Sequence, residues 1–235
     1  MAQVSIITGA SRGIGKAIAK KFASENHYTV LVGRNENLLK EVQSELKSFG
    51  KENLYFVGDV ADPNFAKKCV ELTLEKYGKI DHLINNAGIL IVKKFIDSDL
   101  SEFQEQINTN LIGVYNFTKA ALPTMIEKKS GSIINISSLA GKNTFVGGTM
   151  YAATKHALMA FSGCLMLEVR EHNIRVAVVC PGSVATDMIF QSSMAPANPD
   201  KILDPSDVAE IVSTIIKLPA RALMSEVEIR PTNPK

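Results

Sequence analysis

The sequence predicts an α/β fold: a doubly wound, mainly parallel seven-stranded sheet flanked by helices on both faces. Three observations carry this. Short β-branched runs alternate with longer amphipathic segments along all 235 residues, and a repeated strand–helix order builds a parallel sheet. Most of the short runs are near-continuously apolar, as expected of strands covered on both faces. No linker, low-complexity tract or second composition regime interrupts the chain, so residues 1–235 read as one domain.

The strands are expected at residues 4–8, 28–33, 53–58, 80–84, 132–137, 174–180 and 226–229. Helices are expected at 13–25, 36–49, 63–77, 100–128, 150–171 and 205–217. Pro63 and Pro205 follow Asp62 and Asp204, an Asp cap with Pro at the first helical position. Residues 192–203 differ in texture, with Ser, Ala, Pro and Asn predominating, and read as a mobile loop.

Composition narrows the function classes. A hydrophobic share of 46% and a net charge of +2 describe an ordinary globular chain. They give no basis for a nucleic-acid-coating surface. Cys69, Cys164 and Cys180 are far apart and have no Cys or His partner at metal spacing, so neither disulfide nor metal is expected. The chain begins directly on a strand without a signal-like segment, and no run is long enough to span a membrane. A cytoplasmic, reducing setting is the expectation.

The first strand ends in Thr8-Gly9-Ala10-Ser11-Arg12-Gly13-Ile14-Gly15 and opens straight into a helix. Glycines permit the tight turn and the close approach of a pyrophosphate, and the helix start offers free N–H groups. At the end of the second strand, where a carboxylate would bind a ribose 2′-hydroxyl, stand Gly33 and Arg34. Arg34, with Arg12 from the other side, suits a 2′-phosphate, so the expected cofactor is NADP(H). Each arginine taken alone also reads as a solvent-facing charge.

Tyr151 and Lys155 stand four residues apart and share one helix face. A phenol with a pKa near 10 is a poor proton carrier at neutral pH, and a neighbouring cation brings it toward the working range. Ser138 follows the fifth strand at the end where ligands bind in an open parallel sheet. Asn110 lies in a long helical pattern, either facing solvent or buried with a partner. His156 adjoins Lys155 but faces about 100° away on the helix, and reads as structural.

The motifs Thr8-x-x-x-x-Gly13-x-Gly15, Asn85-Asn86-Ala87-Gly88, Asn110, Ser138, Tyr151-x-x-x-Lys155 and Pro181-Gly182 together resemble those of the short-chain dehydrogenase/reductases. The likeness runs over about residues 3–188 and is to the compact oxidoreductase subtype, on a Rossmann fold. It implies that Tyr151 exchanges the proton with the substrate oxygen and that Ser138 polarises that oxygen. It implies that Lys155 lowers the Tyr151 pKa and holds the nicotinamide ribose, and that Asn110 holds a water linking Lys155 to solvent. The implied cofactor contacts are Gly9, Ser11, Arg12, Gly13, Ile14, Gly15, Arg34, Asp59, Val60, Asn86, Ala87, Gly88, Tyr151, Lys155, Pro181, Gly182, Val184 and Thr186. The nearest well-known branch is the 3-oxoacyl-[acyl-carrier-protein] reductases. In place of that branch's terminal Asp-Gly-Gly strand this chain has Glu226-Val227-Glu228-Ile229-Arg230-Pro231.

Substrate choice is expected to sit in residues 139–150 and in a loop at about 187–204. Phe145, Val146, Met150, Met188, Ile189 and Phe190 suggest an apolar wall, with no arginine to clamp a carboxylate. The expected activity is NADPH-dependent reduction of a ketone or aldehyde. The alternatives are an NADP-dependent alcohol or hydroxy-acid dehydrogenase and a catalytically silent NADP-binding sensor or scaffold. The long helices at 100–128 and 150–171 resemble the family's dimer surface, so a homodimer or homotetramer is expected, with a small-molecule substrate and no membrane or nucleic-acid partner.

Overall fold

The computed structural model describes residues 2–196 and 198–233. Seven strands form one sheet: β1 (Val4–Thr8), β2 (Tyr28–Gly33), β3 (Leu54–Val57), β4 (His82–Asn85), β5 (Gly131–Ile136), β6 (Ile174–Pro181) and β7 (Glu226–Ile229). Their order is β3-β2-β1-β4-β5-β6-β7. Every neighbouring pair is parallel, so the sheet is wholly rather than mainly parallel. The winding reverses between β1 and β4, which opens a crevice at the carboxyl ends of those two strands.

Helices cover both faces: α1 (Gly13–Ser24), α2 (Glu36–Leu46), α3 (Pro63–Tyr77), α4 (Leu100–Ile107), α5 (Gly113–Lys128), α6 (Thr149–Val169), α7 (Asp187–Phe190) and α8 (Pro205–Lys217). Side chains alternate across a strand, so each strand feeds two cores. Ile7, Leu31, Ile84, Ile134 and Val179 pack with Phe22 of α1 and Val212 of α8. Ile6, Val30, Leu83, Ile133 and Val176 pack with Val70 of α3 and Phe117 of α5.

Two expected elements differ. The strand predicted at 80–84 runs instead from His82 to Asn85; Asp81, just before it, donates its N–H to Val4 O at 2.9 Å and accepts the Val4 N–H on its carboxylate at 2.8 Å. The predicted helix at 100–128 is interrupted by a π-turn at Asn108–Ile112. Asn108, Thr109 and Asn110 are weak helix formers. The widened turn brings Asn110 inward, while Gly113 lets Val60 lie against the helix: a Cβ there would stand 2.5 Å from Val60 Cγ2. Asp62 and Asp204 accept hydrogen bonds from Asn64 N and Ser206 N at the starts of α3 and α8, as expected.

Candidate active site

The turn after β1 is held to the end of β4 by the side chains of Thr8 and Asn86. Thr8 Oγ1 accepts the N–H groups of Asn86 and Ala87, each at 3.0 Å. Asn86 Nδ2 donates to Thr8 O at 3.0 Å and Gly9 O at 3.1 Å. Gly9 has φ +65°, and a Cβ on it would stand 2.8 Å from Ala87 Cα. A Cβ on Gly15 would stand 2.2 Å from Gly9 O. The turn therefore has room for backbone only. Its outer side, with the first N–H groups of α1, faces a cleft of about 590 Å³.

Gly9, Ser11, Arg12, Gly13, Ile14, Arg34, Asp59, Val60, Asn86, Ala87, Gly88, Ser138, Tyr151, Lys155, Pro181, Gly182, Val184 and Thr186 all line this cleft. Gly15 and Asn110 do not. Gly15 is buried beneath the turn. Asn110 is 1% exposed and lies behind the wall. Its Oδ1 accepts Ile89 N at 2.8 Å, and its Nδ2 donates to Ile89 O at 3.0 Å and to Thr154 Oγ1 at 3.1 Å. Thr154 Oγ1 donates to Tyr151 O at 2.8 Å. Asn110 thus ties the segment after β4 to the helix that carries Tyr151. The dinucleotide reading fits this cleft: the glycines leave a backbone-lined cradle, and Arg12 and Arg34 supply cations at its mouth.

At the other end, Tyr151 and Lys155 sit on one face of α6 and both are buried. Lys155 Nζ donates to Ile136 O at 3.0 Å and stands over the Tyr151 ring. Burial pushes the Tyr151 phenol up to about 12, opposed by Ser138. Burial brings the Lys155 ammonium down to about 8. The expected lowering of Tyr151 by Lys155 does not appear in this geometry, where the Lys155 ammonium is turned to the Ile136 carbonyl.

The wall beyond Tyr151 is formed by Leu90, Leu139, Thr144, Phe145, Met188 and Met194. Of the apolar wall predicted from sequence, Phe145, Met188 and Ile189 line the cleft. Val146 is 85% exposed, Phe190 is turned outward on α7, and Met150 is buried in the core. Sequence reading missed Leu90, two residues past Gly88, while Leu139 and Asp187 fall inside the predicted 139–150 and 187–204 segments without having been singled out. Residues 187–190 form a helix rather than loop, and Leu203 N donates to Ser183 O, which pins the far end of the segment. Ala197, within the predicted loop, lies outside the described residues.

His156 is exposed, with Nδ1 at 2.9 Å from Ala152 O. Among the described residues no group of His, Cys, Asp and Glu is arranged to hold a metal, and no helix is long and apolar enough to cross a membrane.

A family model described as short chain dehydrogenase matches residues 3–196. An uncharacterized oxidoreductase of Staphylococcus saprophyticus is 33% identical over 231 residues, 97% of each chain. An alcohol dehydrogenase from the archaeon Thermococcus sibiricus, complexed with 5-hydroxy-NADP, superposes with a TM-score of 0.90 at 29% identity, covering 99% of this chain and 97% of that one. A metagenomic short-chain oxidoreductase in complex with NADP gives 0.86 at 34% identity, covering 98% and 97%.

Proposed function

The chain belongs to the short-chain dehydrogenase/reductase family, as an NADP(H)-dependent oxidoreductase acting on CH–OH groups, and on that premise we propose that it reduces an uncharged ketone or aldehyde with Tyr151 as proton donor. The observation that supports proton donation is the buried phenol: Tyr151 lines the cleft and burial raises its pKa, so at neutral pH it carries the proton that a carbonyl oxygen takes up on reduction.

Bound NADPH supplies the hydride. Arg12 and Arg34 hold the 2′-phosphate, and the turn from Gly9 to Gly15 and the start of α1 receive the pyrophosphate. Asp59, Val60, Asn86, Ala87 and Gly88 border the adenosine and ribose. Pro181, Gly182, Val184 and Thr186 border the nicotinamide, and Lys155 holds its ribose. The Ser138 hydroxyl donates to the carbonyl oxygen and orients it. Tyr151 then gives that oxygen its phenolic proton as negative charge develops there. Lys155, when charged, stabilises the phenolate left behind. Asn110 acts from behind the wall, fixing the segment after β4 and holding a water toward Lys155.

The substrate wall supports an uncharged carbonyl. Arg12 and Arg34 stand at the phosphate end and Lys155 at the reacting end, and among the described residues no further cation lines the cleft to clamp a hydroxy acid's carboxylate. The same four residues run alcohol oxidation when phenolate is present, so the dehydrogenase reading differs in direction only. A silent sensor has no use for an intact Ser138, Tyr151 and Lys155. We place the enzyme in the cytoplasm as one domain. It pairs with itself through the α4, α5 and α6 faces, where Ile112, Tyr115 and Leu167 are exposed. Residues 191–196 and 198–203 order over the substrate.

The test is NADPH and NADH oxidation against a diketone, an aromatic aldehyde, a quinone, a 3-oxoacyl thioester and a 3-oxo acid. Turnover of neutral carbonyls with NADPH over NADH is expected. Preference for the 3-oxo acid would contradict the reading of the wall, and preference for NADH the reading of the two arginines.

A further inference from the structure

Arg12 and Asp187 are 175 residues apart in sequence, yet their side chains pair at 3.1 Å. Arg12 is the residue before α1, in the glycine-rich turn, and Asp187 is the first residue of α7. A second contact ties the same two segments: a Cβ on Gly13 would stand 3.0 Å from Thr186 Cγ2. Arg12, Arg34 and Asp187 all line the one cleft. Arg34 makes no ion pair with any described residue, whereas Arg12 already has a carboxylate.

A guanidinium binds a carboxylate and a phosphate with the same planar set of N–H donors. A 2′-phosphate entering beside Arg12 therefore meets a donor set already in use, and a negative charge that repels it. A cofactor without the 2′-phosphate meets no such competition. We infer that Asp187 is a cofactor-selectivity residue: it withholds Arg12 from the 2′-phosphate and so weakens binding of NADP(H) but not of NAD(H). The inference rests on the assignment of Arg12 to the phosphate made above. Arg34 fixes phosphate recognition, while Asp187 competes for the second arginine, so the phosphorylated cofactor stays exchangeable. Because Asp187 starts α7, which also carries Met188 of the substrate wall, the competition joins the two ends of the cleft.

Both partners are more than half exposed, at 58% and 56% of their side-chain surface. Exposed pairs of this kind change equilibria by about two- to five-fold and weaken with salt. The experiment measures dissociation constants for NADPH and NADH, by nicotinamide fluorescence, on the wild type, Asp187→Asn, Arg12→Gln and the double variant. Asp187→Asn is expected to tighten NADPH roughly three-fold at low ionic strength, to leave NADH unchanged, and to lose the gain at high salt. On the Arg12→Gln background the substitution is expected to have no effect. Equal tightening of both cofactors, or a gain that persists without Arg12, would overturn the inference while leaving the phosphate assignment standing. An Arg12→Gln protein that binds NADPH as well as the wild type would overturn both.

Discussion

Lys155 Nζ stands 5.8 Å from the centre of the Tyr151 ring, one helical turn along α6, and its hydrogen bond goes to Ile136 O rather than to the phenol. The two groups are desolvated together, and each is driven toward its neutral form: the phenol up to about 12, the ammonium down to about 8.

A pH dependence follows for the reaction. Below about 8 Lys155 is charged and Tyr151 is protonated, the combination that reduction needs. Carbonyl reduction is expected to hold level through neutral pH and to fall as Lys155 deprotonates above about 8. Alcohol oxidation is expected to rise with pH. Profiles of kcat/KM in both directions check this, and a reductive profile level to pH ~10 would remove Lys155's charge from the mechanism.

The glycines separate into those that carry function and those that do not. Gly15→Ala drives a Cβ into the Gly9 carbonyl, and is expected to weaken NADPH binding together with thermal stability. Gly163 lies mid-helix in α6 with nothing within 4 Å of a built Cβ. Gly163→Ala is expected to stabilise by roughly 0.5–1 kcal/mol through helix propensity. Denaturant titration with and without NADPH reads both.

The latch at Asn110 is testable apart from turnover. Asn110→Leu leaves both Ile89 backbone groups without their partners. Such losses cost about 1–3 kcal/mol each when buried, so a fall of about 2–3 kcal/mol in unfolding free energy is expected. Thr154→Val removes the bridge between Asn110 and Tyr151 O and is expected to cost about 1 kcal/mol. A neutral Asn110→Leu would show that the latch contributes nothing.

Most of the sheet is readable from sequence because buried parallel strands announce themselves as apolar runs, as at Val4–Thr8 and Tyr28–Gly33, whose bounds match the expectation. The Asp caps of α3 and α8 are local chemistry and equally legible. The π-turn is not, since the interaction that holds it runs from Asn110 to Ile89, 21 residues away. The outward turn of Phe190 and the burial of Met150 depend on how α7 and α6 are rotated, which a run of apolar letters does not encode. The pairing of Arg12 with Asp187 joins opposite ends of the chain and has no sequence signature.

A buried histidine makes a prediction away from the cleft. His82 is stacked on His27 at 5.6 Å, and neither of its ring nitrogens has a hydrogen-bond partner. Burial first, then His27, holds its pKa down to about 3, against 6.5 for a free ring. Between those values the unfolded chain binds a proton that the folded one refuses, so stability falls as pH drops through this window. His82→Leu is expected to abolish a loss of about 2–3 kcal/mol between pH ~7 and pH ~4.5. Urea denaturation at the two pH values measures it, and equal losses in both proteins would acquit His82.

The most direct test of the account is Tyr151→Phe, assayed for NADPH affinity and for single-turnover reduction of the best neutral carbonyl. The substitution removes one buried hydroxyl and leaves the ring over which Lys155 stands. The account predicts an NADPH dissociation constant within about two-fold of wild type and a reduction rate lower by on the order of 10²- to 10⁴-fold. Reduction at the wild-type rate by Tyr151→Phe would contradict it.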